Sequence, residues 1–221
     1  MSEPDYHFIV GIPRSGTTLL SFMFNRSKKI LALHEPKHIL HVIKDYKHSG
    51  LKSLYHSKSY FKKIEQLHNI KESPFKVNPK KNKETWKMPF DERSVKKIST
   101  QIALSFEFLN KKNTQIDAII DKNPAYTINL DNIISHFPKA KFIITTRDYR
   151  AFTLSRMEKR KPHKKIHSYI NECVTWNYMH KFVFEAINKY PEKCLLIKYE
   201  ELTSNPEIKM REICNFLNLD F

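Results

Sequence analysis

An apolar run, Tyr6-His7-Phe8-Ile9-Val10, ends at Gly11, and Gly16 then opens a stretch carrying Leu19, Leu20, Phe22, Met23 and Phe24. The chain has only three glycines, and two of them bracket Ile12-Pro13-Arg14-Ser15. In so glycine-poor a chain, that placement marks a backbone that turns tightly and lets something come close. The pattern predicts a strand, a tight loop and a helix in direct succession. Such a junction presents unpaired N–H groups at a helix N-terminus, which makes it an anion site.

The rest of the chain suits the same architecture. A second strand, Ile30 to Leu33, ends at His34-Glu35-Pro36, and Pro36 can open a helix whose apolar side carries Ile39, Leu40 and Ile43. An amphipathic helix is predicted from Ser94 to Asn110 and a buried strand from Ile116 to Ile120, ending at Asp121-Lys122-Asn123-Pro124. A helix Leu130 to His136 leads into a strand Phe142 to Thr146, which stops at Arg147-Asp148. Helices over Tyr149 to Lys159 and Ile166 to Lys189, a strand Cys194 to Lys198 and a helix Pro206 to Leu217 complete the chain. Short buried strands alternating with helices predict an α/β fold with a central parallel β-sheet flanked by helices, a P-loop-like three-layer sandwich. Arg14, Glu35, Lys122 and Arg147 all follow strand ends, so one carboxyl edge should gather them.

Residues at about 45–92 break this rhythm: lysine dominates, and Pro74 and Pro79 interrupt any period. The stretch is too poor in apolar residues for a core of its own, so it reads as a partly helical insertion or lid on a single domain spanning 1–221. The net charge of +16 invites an anionic partner, but only eight of the 39 basic residues are arginine. A lysine surplus also arises from genome composition, so the arginines, whose planar forks suit bidentate anion binding, carry more information. No run is long and apolar enough to span a membrane and no secretory leader is visible, so a cytoplasmic location is expected. Cys173, Cys194 and Cys214 fit neither a disulfide framework nor a zinc site and read as core thiols; no metal is expected.

The loop matches the Walker spacing G-x-x-x-x-G-K-[ST] except that Thr17 stands where the lysine belongs. Without that lysine, a β/γ-phosphate chain with magnesium is poorly served. A single 5′-phosphate can still be held by the Ser15, Thr17 and Thr18 hydroxyls, the backbone amides about Gly16, and Arg14. Ile119-Ile120-Asp121 resembles a Walker B strand and keeps a nucleotide kinase or NTPase as the alternative, with a basic polyanion-binding module behind it.

Pro13-Arg14-Ser15-Gly16-Thr17-Thr18, Lys122-Asn123-Pro124, Phe137 to Ile143, Arg147-Asp148-Tyr149-Arg150-Ala151, Ser155, Tyr199-Glu200-Glu201-Leu202 and Phe216-Leu217-Asn218-Leu219 together resemble the sulfotransferases that use 3′-phosphoadenosine 5′-phosphosulfate (PAPS), nearer the carbohydrate and protein-tyrosine branch than the cytosolic phenol enzymes. The resemblance implies sulfuryl transfer to an acceptor hydroxyl on a small molecule, glycan or peptide, anionic if the lysines are functional, with adenosine 3′,5′-bisphosphate as product. No nucleic-acid partner is implied. It further implies that Arg14, Thr17 and Thr18 hold the 5′-phosphosulfate, that Arg147 and Ser155 bind the 3′-phosphate, and that Lys122 stabilises developing charge. Glu35, twenty-one residues after Arg14, is the implied general base, and His34 is its rival, since the cytosolic branch uses histidine. Lys37 is a candidate for positioning the acceptor. Arg150 and Arg156 read as solvent-facing helix residues, Trp176 and Phe182 as core, and the Tyr199-Glu200 signature as structural. Asn218 stands where the family has glycine, which a left-handed helix cap accommodates. The family's usual C-terminal continuation is expected to be absent after Phe221.

Overall fold

A computed structural model describes residues 3–36, 38–44, 76–77, 95–104, 106–107, 115–159 and 167–221. Strands β3 (Lys76–Val77) and β4 (Phe106–Glu107) pair with each other, and the other five described strands form one parallel sheet: β1 (Asp5–Gly11), β2 (Ile30–His34), β5 (Ala118–Lys122), β6 (Phe142–Thr146) and β7 (Cys194–Lys198), in the order β2-β5-β1-β6-β7. β1 lies at the centre, paired with β5 and β6. The side-chain period of two sorts each strand onto two faces. Phe8, Val10, Ile119, Phe142 and Ile144 enter one core, and Ile9, Ile120 and Ile143 enter the other. The first core is covered by the helix at residues 38–44, by Leu130–His136 and by the long helix His167–Lys189. The second is covered by α1 (Thr17–Phe24) and by the helices Tyr199–Ser204 and Pro206–Leu217. Helices on both faces of a parallel sheet make the expected three-layer sandwich.

Two predicted elements are corrected. The strand expected at Ile116 to Ile120 runs Ala118–Lys122, because Asp121 and Lys122 are buried polar residues with partners rather than loop residues. The helix expected from Ser94 to Asn110 is Val95–Leu104; Phe106–Glu107 then pairs antiparallel with Lys76–Val77. An aromatic at the end of a helical period is equally a strand former, and that pairing decides it. A 3₁₀ segment, Pro124–Asn129, and the helix Tyr199–Ser204 had no separate sequence signal. Asn218 is indeed a left-handed cap, φ 60°, with Leu219 N–H bonded back to the Cys214 carbonyl at 2.9 Å. The expected insertion at 45–92, apart from 76–77, and Lys37 lie outside the described residues. Cys194 and Cys214 are buried and Cys173 partly so, all as free thiols.

Candidate functional site

The loop begins where β1 meets β6. Gly11 has φ 122°, and a Cβ there would lie 2.1 Å from the Thr145 carbonyl oxygen, so only glycine fits. The Thr127 hydroxyl accepts from the Gly11 N–H and donates to its carbonyl, both at 2.8 Å. Gly16, φ 87°, is the N-cap of α1, and a Cβ there would stand 2.6 Å from the Tyr199 ring. The side chain of Ser15 turns inward and bonds Thr145 Oγ1 at 2.6 Å, so it braces the loop and leaves only its backbone to a ligand. Thr17 and Thr18 line the cleft above the loop.

Lys122, the last residue of β5, is fully buried, and its Nζ donates to Glu35 Oε1 at 2.9 Å and Thr18 Oγ1 at 3.2 Å. The β2–β5 register sets His34 opposite Lys122. Glu35, one residue further, turns back with φ 50°, its N–H held by the Lys122 carbonyl at 2.7 Å. Such left-handed backbone at a non-glycine residue is strained and is tolerated where the surroundings impose it. Burial alone would raise the Glu35 carboxyl, but the hydrogen bond and charge of Lys122 outweigh it and hold it below the usual carboxylate range. Burial likewise pushes Lys122 down, and Glu35 only partly restores it. His34 lines the same cleft, stacks on Phe22 at 6.2 Å, and is lowered by burial and by the Lys122 charge.

Asp121 points to the other face of the sheet. It is fully buried, accepts from the Tyr6 hydroxyl at 2.9 Å, and is absent from the cleft lining. Burial raises its carboxyl well above the usual range.

Arg147 follows β6 and lies over the Tyr199 ring at 4.3 Å, with Nη1 bonded to the Arg14 carbonyl at 3.1 Å. Its buried Nε has no hydrogen-bond partner among the described residues. Arg14 Nε in turn donates to Ser155 Oγ at 3.0 Å, so Arg14 joins the two residues expected to act as a pair. Asp148 pairs with the exposed Arg150, leaving Arg147 to the cleft, and Glu200 braces the turn by accepting from the Asp148 N–H. The cleft, of about 670 Å³, is lined by Arg14, Thr17, Thr18, Glu35 and Arg147 with Arg156 and Lys159. Arg156, read from sequence as solvent-facing, is mostly buried. Tyr199, read as structural, forms a cleft wall. Lys159 was not singled out, although its place one helical turn beyond Ser155 put it on the same side. Trp176 is partly buried against Ile12, Phe152 and Met179, as a core residue would be. Among the described residues no helix is long and apolar enough to cross a membrane.

The sequence profile of the sulfotransferase family matches residues 7–221. Protein-tyrosine sulfotransferase 1 of Danio rerio is 26% identical over 218 residues, covering 96% of this chain and 52% of that protein. A putative protein-tyrosine sulfotransferase of Caenorhabditis elegans is 31% identical over 118 residues, 52% of this chain and 45% of that one. The chain thus spans about half the length of the curated relatives it matches. Among solved structures, the sulfotransferase domain of the Synechococcus PCC 7002 olefin synthase superposes with a TM-score of 0.64 at 21% identity, covering 100% of this chain and 76% of that one. The sulfotransferase domain from the curacin biosynthetic pathway gives 0.57 at 20% identity, covering 99% and 75%. These two likenesses concern the fold.

Proposed function

We propose, since this chain belongs to the sulfotransferase family, that its cleft binds PAPS and directs the sulfuryl group to an acceptor hydroxyl. The observation that carries the reading is the convergence of Glu35, Lys122 and Thr18 at the mouth of a phosphate loop. The lining suits a multiply anionic nucleotide: Arg14, Arg147, Arg156 and Lys159 face one carboxylate, and the buried Nε of Arg147 is a donor still to be satisfied. When bound, PAPS supplies a sulfuryl group already activated by its phosphate anhydride.

The protein's part is positioning, charge and one proton. The backbone N–H groups at the start of α1, the Thr17 and Thr18 hydroxyls and Arg14 hold the 5′-phosphosulfate. Arg147 and Ser155 hold the 3′-phosphate. Glu35 accepts the proton of the acceptor hydroxyl on its carboxylate, and Lys122 neutralises charge gathering on the departing oxygens. The pairing of these two residues gives the site a useful property. An anion that draws the Lys122 ammonium away removes the two largest effects opposing burial and leaves only the charges of His34 and Lys159 against it, which strengthens Glu35 as a base. Relatives named for protein-tyrosine sulfation favour a phenolic hydroxyl on a peptide as acceptor, and Phe22 stacked on His34 gives an aromatic surface beside Glu35.

The nucleotide-kinase alternative loses its main support, because Asp121 is engaged by Tyr6 inside the core. A thermal-shift comparison tests the reading. Adenosine 3′,5′-bisphosphate without magnesium should raise Tm by about 5–10 °C at a hundredfold excess over Kd. Stabilisation by ATP only with magnesium would instead point to a kinase. Salt-sensitive polyanion binding that survives joint loss of Arg14 and Arg147 would point to a binding module.

A further inference from the structure

Arg156 lies next to Ser155 on the helix Tyr149–Lys159 and lines the cleft, its side chain only 23% exposed. Its Nε donates to Glu172 Oε2 at 2.9 Å, and the Glu172 side chain is 1% exposed. An ion pair this buried is a poor stability device, since desolvating both charges cancels most of their attraction and an apolar pair often serves as well. Held by Nε, the guanidinium keeps its Nη hydrogens, and among the described residues no hydrogen bond occupies them. A fork fixed on one edge and open on the other is the geometry that takes a phosphate in a bidentate grip.

The helix His167–Lys189 supplies a second, independent observation. Glu172, Trp176 and Met179 are spaced four and three residues apart and so share one face. Glu172 holds Arg156, Trp176 Nε1 donates to the Arg147 carbonyl at 2.9 Å, and Met179 lines the cleft. One helix face therefore holds the Arg156 side chain and the Arg147 backbone on this side of the cleft.

We infer that Arg156 is a further binding residue for the donor nucleotide, adding a second guanidinium to the terminal 3′-phosphate beside Arg147, and that Glu172 is its positioning residue. The inference rests on the nucleotide reading above and extends it. Isothermal titration of the purified chain with adenosine 3′,5′-bisphosphate and with adenosine 5′-monophosphate tests it. Arg156→Met should weaken the bisphosphate by about tenfold to a hundredfold and leave the monophosphate nearly unchanged. Arg156→Lys keeps the charge and the pairing with Glu172 but loses the fork, so it should give a smaller loss of the same selectivity. Glu172→Gln should reduce the bisphosphate preference in part, with little further effect once Arg156 is already methionine. Equal losses for both nucleotides, or unchanged bisphosphate binding with only a lowered Tm, would make the pair a structural bridge and overturn the inference. Failure of the unmodified chain to bind the bisphosphate would instead sink the nucleotide reading itself.

Discussion

Replacing Glu35 separates chemistry from stability in one experiment. Its carboxylate partners a lysine whose side chain is wholly buried, and breaking a buried pair from one side can cost 3–5 kcal/mol. The Glu35 side chain is 53% exposed, however, so water can solvate the ammonium after truncation, and about 1–2 kcal/mol is the better figure. For a chain of this length, that lowers Tm by about 2–8 °C in Glu35→Ala. Alanine also keeps the left-handed backbone, φ 50°, which costs an L-residue about 1–2 kcal/mol. Glycine removes the same carboxylate without that backbone cost but loses about 0.5–1 kcal/mol more chain entropy, so a net gain of about 0.5–1 kcal/mol should make Glu35→Gly melt about 1–4 °C above Glu35→Ala. Both should lose a hundredfold to ten-thousandfold in turnover, roughly the worth of a positioned general base. Both should bind adenosine 3′,5′-bisphosphate within about threefold of the unmodified chain. Scanning calorimetry, labelled-PAPS turnover and isothermal titration with the bisphosphate read the three quantities. Normal turnover in Glu35→Ala would remove Glu35 from the chemistry, and a glycine variant less stable than alanine would refute the strain argument.

Two further outcomes are expected. The pH profile of kcat/KM should be bell-shaped: Glu35, held below the ordinary carboxyl value of 4.5, is lost as base only as pH falls through that depressed value, and Lys122, lowered from 10.5, loses its charge as pH rises through its own. An acid limb above 4.5 but below the ordinary imidazole value of 6.5 that disappears in His34→Gln would give the proton transfer to His34. Asp121→Asn should match or exceed the unmodified chain in Tm at neutral pH, since asparagine still accepts from Tyr6 and cannot ionise in the core. Because burial raises the folded Asp121 carboxyl, its contribution is full below the unfolded value of 3.8 and is lost as pH rises through the folded one. The asparagine variant's advantage should therefore widen as pH rises above 3.8 and level off once pH passes the raised folded value, and an asparagine variant less stable throughout would contradict this.

Local patterning made much of this protein legible. A strand, Gly11, Gly16 and a following apolar helix can meet only as a tight anion-facing loop, and buried strands alternating with helices require a covered parallel sheet. Because such a sheet sends all its carboxyl ends to one edge, residues just past the strands had to assemble, and Arg14, Glu35, Lys122 and Arg147 do line or abut one cleft. What sequence left undecided is which way each side chain points and what it meets. Ser15 reads as a hydroxyl for phosphate, but the approach of Thr145 from a strand 130 residues away turns it inward. Asp121 and Lys122 are adjacent, and the strand period sends one to Tyr6 in the core and the other to Glu35 in the cleft. Arg156 looks like any polar residue on an amphipathic helix until Glu172 of the next helix draws it against the cleft. Each of these outcomes depends on a partner distant in sequence, set by strand order and helix docking. Those are products of packing, and no local pattern of apolar and polar residues encodes them.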